Sequence, residues 1–288
     1  MRISIIGAGV TGQATGIGFS TKGFEVIFFD IDKEKLGALK EKGYGVRDKI
    51  ESAVNDSDVV FVCVPTPTVD GVMDFSFLRA ASVGIGNGLK ESENYHLVAV
   101  RSTVLPSTTR CKIVPLLEQY SKKKAGTGFG VCMNPEFLRQ KSSLQDFLNP
   151  SRIVIGELDK RSGDVLEELY KRFDAPIFRM DMDHAEMAKY VSNLFLGSKI
   201  SFFNEIFLIC KDLGLNPDVV SRAVASDPRI GEYGVYGGRP FEGSCLPKDL
   251  RAFINFAKEK KINPRLLEEV LRINEAMSAH YSSSDKKD

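Results

Sequence analysis

The residues best suited to chemistry in this chain lie close together near its carboxyl end. Cys245, Lys248 and Asp249 place a thiol, an ammonium group and a carboxylate within five positions. A thiol acts as a nucleophile in its thiolate form, and an adjacent cation favours that form. Cys245 is therefore the candidate nucleophile. The alternative is that Cys245 is a small buried side chain, which is the commoner role of a single free cysteine.

A second group of polar residues lies on a predicted helix. Apolar residues recur at helical spacing between residues 183 and 213. Glu186, Lys189 and Asn193 are spaced i, i+3 and i+7 in this segment, so one face of the helix carries all three. A stripe of this kind is either a solvated surface or part of a site, and the spacing alone leaves both interpretations open.

A glycine-rich turn near the amino end indicates a nucleotide site. A short apolar run is followed at once by Gly7, Gly9 and Gly12 and then by a helix-compatible stretch. In a strand–turn–helix unit these glycines permit the tight turn, the approach of a pyrophosphate to the backbone and close helix packing. The next predicted strand ends at Asp30, where a carboxylate accepts hydrogen bonds from an adenosine ribose and favours NAD over NADP. Asp32 is a competing candidate for that role.

Alternating strands and helices must position these groups. Near-continuous apolar runs of strand length, typical of a parallel sheet buried on both faces, occur at residues 3–6, 24–29, 58–64, 96–100, 129–133, 152–156 and 176–180. Several of them end in polar or proline-fixed loops, at the edge where open α/β sheets bind ligands. We predict an α/β fold, with an N-terminal NAD-binding Rossmann domain built on a doubly wound parallel sheet over residues 1–181. A second, all-α domain, which carries the cysteine loop, is predicted over residues 182–288.

Composition excludes several other classes of function. The 288 residues include 39 basic and 38 acidic side chains, so bulk charge favours neither nucleic acid nor an anionic membrane as a partner. The five cysteines form no CxxC pair and no cluster with histidine, which argues against a disulfide framework or a metal site and favours a reducing cytoplasm. We expect no segment to span a bilayer.

Seven motifs in a fixed order resemble those of the UDP-glucose/GDP-mannose dehydrogenase family. They are Gly7-x-Gly9-x-x-Gly12, Val64-Pro65-Thr66-Pro67, Ser102-Thr103-Val104, Asn134-Pro135-Glu136-Phe137-Leu138-Arg139, Glu186-x-x-Lys189-Tyr190-x-x-Asn193, Asp227-Pro228-Arg229-Ile230-Gly231 and Gly243-x-Cys245-Leu246-Pro247-Lys248-Asp249. The resemblance covers nearly the whole chain. It implies a four-electron oxidation of a nucleotide-sugar C6 alcohol to the carboxylate, with two NAD per turnover and a covalent thioester.

The resemblance also implies a role for each matching residue. Cys245 would add to the C6 aldehyde, and Lys189 and Asn193 would stabilise negative charge on the C6 oxygen. Asp249 would act with a water in proton transfer, while Glu136 and Thr103 would position the hydrolytic water.

Cofactor contacts are expected from Gly7, Gly9, Val10, Thr11, Gly12, Asp30, Lys35, Thr66, Thr103 and Lys248. Substrate contacts are expected from Phe137, Leu138, Arg139, Lys189, Asn193, Arg229, Gly234, Tyr236, Gly238 and Phe241. Arg229 would reach the phosphate of a neighbouring subunit's substrate, which implies a homodimer.

Three departures from the family pattern affect the expected site. Gln140 stands where a second Glu is usual, Lys141 stands where a Gly is common, and Glu242 replaces a Gly that packs beside the sugar. Family members also carry a C-terminal nucleotide-binding domain that this sequence does not include. We therefore expect that a separate polypeptide supplies this domain or that the pocket is open and activity weak or absent.

Two other functions are compatible with parts of the sequence. One is a non-catalytic or split subunit that binds NAD and pairs with another protein. The other is a two-electron β-hydroxyacid dehydrogenase, a group that shares the dinucleotide fold and a Lys-x-x-x-Asn helix. Cys245 and its neighbours argue against the latter, because that chemistry needs no thiol.

Overall fold

The computed structural model describes residues 1–243 and 245–284, which fall into two compact units. The first unit comprises residues 1–66 and 74–189, and the second comprises residues 67–73 and the chain from Tyr190 onward. The predicted domain boundary between residues 181 and 182 stays a prediction, because compactness does not show that a segment folds independently. Residues 285–288 of the predicted helical domain lie outside the described part.

The first unit is built on a sheet that has eight strands in the described residues. The strands are β1 (Arg2–Ile6), β2 (Glu25–Phe29), β3 (Gly45–Val46), β4 (Val59–Val62), β7 (Leu97–Val100), β8 (Gly130–Met133), β9 (Ile153–Glu157) and β10 (Ile177–Asp181). Their order is β10-β9-β8-β7-β4-β1-β2-β3. From β3 to β8 all pairings are parallel, with Ile5 opposite Phe28 on one side and opposite Phe61 on the other. The predicted Rossmann-type fold is confirmed.

The last two strands depart from the predicted parallel arrangement. β9 pairs antiparallel with β8, with Cys132 opposite Glu157, and β10 runs parallel to β9. The connection from β8 to β9 holds only a short 3₁₀ turn (Gln140–Ser142) and the helix α6 (Ser143–Leu148). This connection, residues 134–152, is long enough for the crossover that a parallel neighbour needs, so its length does not determine that β9 runs antiparallel.

Helices pack against the sheet, and aromatic side chains from both form part of the core between them. In the first unit these are α1 (Val10–Thr21), α2 (Lys33–Glu41), α3 (Ile50–Asn55), α4 (Ser76–Glu91), a π-turn (Thr109–Ile113) that continues into α5 (Val114–Ser121), α6 and α7 (Lys160–Tyr170). Phe19 of α1 is fully buried, and its ring packs against those of Phe61, Phe147 and Tyr170. This packing fixes α1, and therefore the glycine turn before it, on the sheet.

The second unit is helical apart from one hairpin. Its elements are β5 (Thr68–Val69), β6 (Val72–Met73), most of α8 (Met182–Asp212), α9 (Pro217–Ala225), α10 (Leu246–Glu259) and α11 (Arg265–Ser284). The long helix α8 is one continuous element, as the spacing of its apolar residues predicts. It ends before Gly214, whose φ of 70° lies in the left-handed region that stops a helix.

The expectation that no segment could span a bilayer needs correction. Among the described residues α8 is long and apolar enough to cross a membrane by length and composition alone. A core helix of a globular protein passes the same test, so this finding is weak evidence for a membrane span.

Candidate active site

The glycine turn after β1 has the geometry of a nucleotide-binding loop. Gly7 has φ 100°, and a Cβ atom at this position would lie 2.8 Å from the Cys63 carbonyl oxygen. A Cβ on Gly12 would lie 1.8 Å from the Gly7 carbonyl oxygen, so α1 packs on the turn only with glycine there. Gly9 precedes α1 and faces open space, with no atom within 4 Å of its Cβ position. The turn therefore leaves room for a pyrophosphate at the N-terminus of α1.

The two acidic candidates at the end of β2 have different tasks. The carboxylate of Asp30 accepts hydrogen bonds from the Ala8 amide (2.6 Å) and the Asp32 amide (2.9 Å), which places it against the glycine turn. Asp32 instead caps α2 and pairs with Lys35 at 3.2 Å on the surface. The geometry thus favours Asp30 for the ribose. Val10 is exposed at the first position of α1.

Hydrogen bonds connect the loops that follow β4 and β7. The Ser102 hydroxyl donates to the Val64 carbonyl oxygen at 2.6 Å, and the Thr66 hydroxyl donates to the Thr103 carbonyl oxygen at 2.9 Å. Two of the predicted cofactor residues, Thr66 and Thr103, are therefore held together at the carboxyl edge of the sheet.

A buried arginine extends this network to the loop after β8. The Arg101 guanidinium donates from Nη1 to the Asn134 side-chain oxygen at 2.6 Å and to the Tyr170 hydroxyl at 3.1 Å. Arg101 lies directly before Ser102, and Asn134 lies two residues before Glu136. Arg101 was not among the residues predicted from the sequence, although its position between a buried strand and a site motif is a signal that could have found it.

Two of the predicted catalytic residues form a buried ion pair. The Lys189 ammonium lies 3.3 Å from a Glu136 carboxylate oxygen, and both side chains are largely buried. The other Glu136 oxygen accepts the Leu138 amide at 2.5 Å, which fixes the backbone expected to line the substrate. The Phe137 ring lies under the Arg152 guanidinium at 3.7 Å and also faces Lys189.

Arg139, which follows this backbone, is held by a carboxylate from α6. Its guanidinium pairs with Asp146 at 2.6 Å. The Arg139 hydrogen bond lowers the pKa of Asp146 to about 2. Arg139 is therefore anchored on its own loop.

Helix α8 buries a stripe of polar residues together with apolar ones, and it exposes apolar residues on the opposite face. The buried polar residues follow one stripe along the helix, namely Glu186, Lys189, Asn193, Ser201 and Asn204. Val191, Phe195, Phe202 and Ile209 lie on the opposite face and are exposed. A helix that packs only for stability shows the reverse pattern. The stripe at Glu186, Lys189 and Asn193 is therefore not a solvated surface.

The second unit holds the candidate nucleophile at the start of α10. Cys245 is exposed and directly precedes the helix, and its carbonyl oxygen accepts the Asp249 amide at 2.9 Å. Asp249 is only 1 % exposed, and its carboxylate accepts hydrogen bonds from Asn193 (2.7 Å) and from the Lys248 ammonium (2.6 Å). Lys248, predicted to contact NAD, is thus held by a buried carboxylate one helical turn after the thiol.

The five cysteines differ sharply in their surroundings. Cys63, Cys132 and Cys210 are buried, whereas Cys111 and Cys245 are exposed. Burial raises the pKa of Cys63 to about 12 and also raises that of Cys132, so both remain thiols at neutral pH. Cys245 alone combines exposure with the neighbouring cation and carboxylate of the motif.

Three buried side chains anchor the glycine-rich loop that leads to Cys245. Asn204 accepts the Gly238 amide and donates to the Arg239 carbonyl oxygen, both at 2.9 Å. Asn274 makes the corresponding pair of bonds to the backbone of Phe241, and the Ser221 hydroxyl donates to Val235 at 2.7 Å. Sequence reasoning missed these anchors. Asn204 could have been found because it continues the polar stripe of α8.

The other predicted substrate residues occupy varied positions around this loop. Gly234 has φ 73° and Gly238 has φ 101°, so both adopt a conformation that favours glycine. Tyr236 is exposed, whereas Phe241 is buried. The Arg229 side chain is 88 % exposed and pairs with Asp227 at 2.6 Å.

Each unit therefore brings together its own set of predicted residues. The first joins Thr66 to Thr103 and Glu136 to Lys189, and the second joins Asn193 and Lys248 through Asp249. In the described part of the chain there is no group of three or more His, Cys, Asp or Glu side chains that could hold a metal ion.

Comparison with known proteins identifies the family. The model of the NAD-binding domain of the UDP-glucose/GDP-mannose dehydrogenase family matches residues 1–48 and 39–174. The model of the central domain of the same family matches residues 183–276. The chain belongs to the UDP-glucose/GDP-mannose dehydrogenase family. This is a family of NAD-dependent nucleotide-sugar 6-dehydrogenases, and NAD is its cofactor.

Several relatives are similar over almost the whole chain. GDP-mannose 6-dehydrogenase from Pseudomonas aeruginosa is 39 % identical over 95 % of this chain and 68 % of that protein. UDP-glucose 6-dehydrogenase AglM from Haloferax volcanii is 33 % identical over 96 % of this chain and 70 % of that protein. A solved UDP-glucose dehydrogenase from Pyrobaculum islandicum superposes with a TM-score of 0.89 at 36 % identity, covering 96 % of this chain and 68 % of that one. The chain spans about two thirds of the length of these relatives.

Proposed function

We propose that this chain catalyses the four-electron oxidation of a nucleotide-sugar C6 alcohol to the uronate through a thioester on Cys245. The observation that carries the proposal is the buried Asp249, which lies one helical turn after Cys245 and binds both Asn193 and Lys248. A buried carboxylate beside an exposed thiol is arranged for proton transfer and for holding cations, since it is already desolvated and hydrogen-bonded. The family match over both domains favours this chemistry over a two-electron β-hydroxyacid dehydrogenase.

The proposed reaction balances as two oxidations and one hydrolysis. The alcohol loses a hydride and a proton to give the aldehyde, and the Cys245 sulfur then adds to the aldehyde carbon to give a thiohemiacetal. Loss of a second hydride and proton leaves the thioester, and water cleaves it to release the carboxylate and regenerate the thiol. NAD, when bound, accepts the hydride in each oxidation.

The residues of the first unit have distinct tasks in this scheme. The Lys189 ammonium donates to the C6 oxygen as negative charge develops there, and a single donor of this kind contributes a factor of roughly 10²–10³ in rate. Glu136, its buried partner at 3.3 Å, holds that ammonium in place and orients the hydrolytic water with Thr103. The Phe137–Arg139 backbone, fixed by Glu136 and Asp146, lines the sugar nucleotide.

The residues at the amino end fit the cofactor. Gly9 faces open space at the N-terminus of α1, where backbone amides bind a pyrophosphate, and Asp30 lies against the same turn for the ribose hydroxyls. Lys35, Thr66, Thr103 and Lys248 are the proposed further contacts.

The proposal is tested by mixing the chain with NAD and, separately, GDP-mannose, UDP-glucose or a UDP-N-acetyl sugar. We expect two NADH per uronate with at least one of these substrates, and a mass adduct on Cys245 when hydrolysis is slowed. Addition of a C-terminal nucleotide-binding domain from a relative, as a separate polypeptide, tests whether the chain needs one. Absence of NADH with every sugar, with and without that domain, would favour a non-catalytic NAD-binding subunit.

We further propose that the chain forms a homodimer through the apolar face of α8. Val191, Phe195, Phe202 and Ile209 repeat at spacings of four, seven and seven and form an exposed apolar stripe. Such a stripe is typical of an interface between helices. It also explains why α8 has the composition of a membrane helix, and the proposed dimer is soluble and cytoplasmic. The exposed Arg229, which pairs with Asp227 in this structure, then reaches the substrate phosphate of the second subunit.

Light scattering tests the dimer. Phe195→Glu should give a monomer, because a charge on the stripe must be desolvated at the interface. Phe178→Glu is the matched control, since Phe178 is an exposed phenylalanine in β10 of the first unit. A monomeric wild-type chain, or a dimer that survives Phe195→Glu, would overturn this interface.

A further inference from the structure

Glu186 is a buried acid to which the proposed reaction gives no role. Its side chain is fully buried, and one carboxylate oxygen accepts the Thr109 amide at 2.7 Å. The other oxygen, Oε2, accepts no hydrogen bond from any residue that the structure describes. Burial of a carboxyl group with an unsatisfied oxygen lowers stability, so packing alone does not explain an acid at this position.

The Thr109 amide is a donor that its own helix cannot satisfy. Thr109 begins the π-turn that continues into α5, and the first amides of a helix have no partner within it. A π-turn is itself frequent at functional sites. Glu186 lies 77 residues away in the sequence and supplies the missing acceptor from α8.

A second contact holds the same segment one turn earlier on α8. Asp183 accepts the Ser107 hydroxyl at 2.9 Å and pairs with Arg110 at 2.5 Å. Ser107 has φ 71°, which is a strained conformation for a residue with a side chain. Asp183 and Glu186 therefore fix residues 107–110 at two points along one helix.

The next turn of α8 carries Lys189. Asp183, Glu186 and Lys189 follow one another at spacings of three, and Lys189 binds Glu136. Thr103 lies six residues before Thr109, in the loop that Thr66 holds by hydrogen bonding to the Thr103 carbonyl oxygen. Glu186 thus connects the helix that carries Lys189 to the segment that follows Thr103.

We propose that Glu186 is a positioning residue of the dehydrogenase reaction, which holds the Thr103 segment in register with Lys189 through the Thr109 amide. The role rests on the proposed function, because it presupposes that Thr103 and Lys189 act in the reaction. Burial, followed by the opposing hydrogen bonds from Thr109, sets the pKa of Glu186 at about 7. Near this pH the carboxyl group is protonated in part of the molecules, and its oxygen still accepts a hydrogen bond from the Thr109 amide. The contact therefore needs an oxygen acceptor and not a negative charge.

Three variants test the proposal. Glu186→Ala removes the acceptor, while Glu186→Gln keeps an oxygen of the same reach. Leu117→Ala is the control for loss of stability, because Leu117 is fully buried in α5 and takes no part in the Glu186 contact.

Turnover should separate these variants when each is assayed at the same interval below its melting temperature. We expect Glu186→Ala to lower kcat at least about tenfold with KM for NAD and sugar within about threefold, as a misplaced catalytic group does. Glu186→Gln should restore kcat to within about threefold of wild type, and Leu117→Ala should keep full kcat. An unchanged kcat in Glu186→Ala, or an equal loss in Leu117→Ala, would overturn the proposal.

Hydrogen exchange measures the anchor itself without turnover. The peptide covering residues 103–113 should exchange at least about tenfold faster in Glu186→Ala than in wild type or Glu186→Gln, since a local contact that closes this segment is lost. Equal exchange in all three would overturn the anchor. If the wild-type chain shows no turnover, the proposed function fails, and the exchange comparison still decides whether Glu186 positions this segment.

Discussion

The two units hold their candidate catalytic residues in opposite ways. In the first unit, Glu136 follows β8 and forms a largely buried ion pair with Lys189 of α8, and the buried Arg101 holds the loop before Glu136 through Asn134. In the second unit the thiol of Cys245 is exposed in a turn before α10, and only its neighbour Asp249 is buried. Groups that stabilise developing charge do so more strongly when they are fixed in a rigid, desolvated position. A nucleophile that must reach a carbon, form a bond and release it gains from an accessible one.

The largest expected effect comes from the exposed thiol. Cys245→Ser should lower uronate formation at least about a thousandfold, because an alcohol at this position does not form the thioester. Binding of NAD, measured by calorimetry, should be unchanged. The matched control is Cys111→Ser, which alters the other exposed cysteine and should keep full activity. Uronate formation at the wild-type rate by Cys245→Ser would exclude the covalent mechanism.

Removal of the buried ammonium should cost both rate and stability. Lys189→Ala should lower kcat by roughly 10²–10³, since one donor to the developing oxyanion is lost. It should also lower the free energy of unfolding by about 3–5 kcal/mol, because Glu136 is left buried without its partner. Stopped-flow assays and urea unfolding measure the two effects. Lys211→Ala, an exposed change later in the same helix, is the control, and an equal loss there would contradict a specific role for Lys189.

A smaller effect is expected at the anchor of the glycine-rich loop. Asn204→Ala removes both bonds to Gly238 and Arg239 and should raise KM for the nucleotide sugar roughly tenfold, equivalent to about 1.4 kcal/mol of binding. Asn216→Ala removes an N-cap of α9 that does not touch the loop and should lower stability by about 1 kcal/mol with KM unchanged. If both variants change KM alike, the loop is not a specific substrate contact.

The charge of Glu186 is expected to have the smallest effect on activity. Its contribution should instead appear in the pH dependence of the free energy of unfolding. Its pKa is raised from 4.5 to about 7 by burial, so the folded state binds its proton more tightly than the unfolded state does. Stability should therefore fall as pH rises from about 4.5 to about 7 and then level off, by at most about 3 kcal/mol. The charged group that acts on Glu186 is Asp183, which lies three residues earlier on α8 and raises the pKa further.

Glu186→Gln isolates this contribution from the rest of the chain. In this variant the free energy of unfolding should no longer decrease over this pH range, and kcat should be unchanged. Urea unfolding at several pH values measures how the free energy of unfolding depends on pH. An identical slope in wild type and Glu186→Gln would show that the carboxyl group does not titrate in this range.

Residue type and spacing were enough for the predictions that depend on local order. The glycines at 7, 9 and 12 and the apolar strands predicted the Rossmann-type fold, because both signals are confined to a few neighbouring residues. The helix through Lys189 and Asn193 was predicted for the same reason. The antiparallel β9 was not, since nothing in its composition distinguishes the direction in which it joins the sheet.

Tertiary structure alone decided which polar residues are buried and what they bind. The spacing of Glu186, Lys189 and Asn193 fits both a solvated stripe and a site, and only the packing of α8 shows that the polar face is the buried one. Asp32 competed with Asp30, the residue directly at the strand end, until the Ala8 amide and the α2 cap distinguished the two. Sequence determines which chemical groups are available and their local order. Their burial and partners depend on contacts between residues far apart in the chain, such as Glu186 with Thr109, which local patterns do not encode.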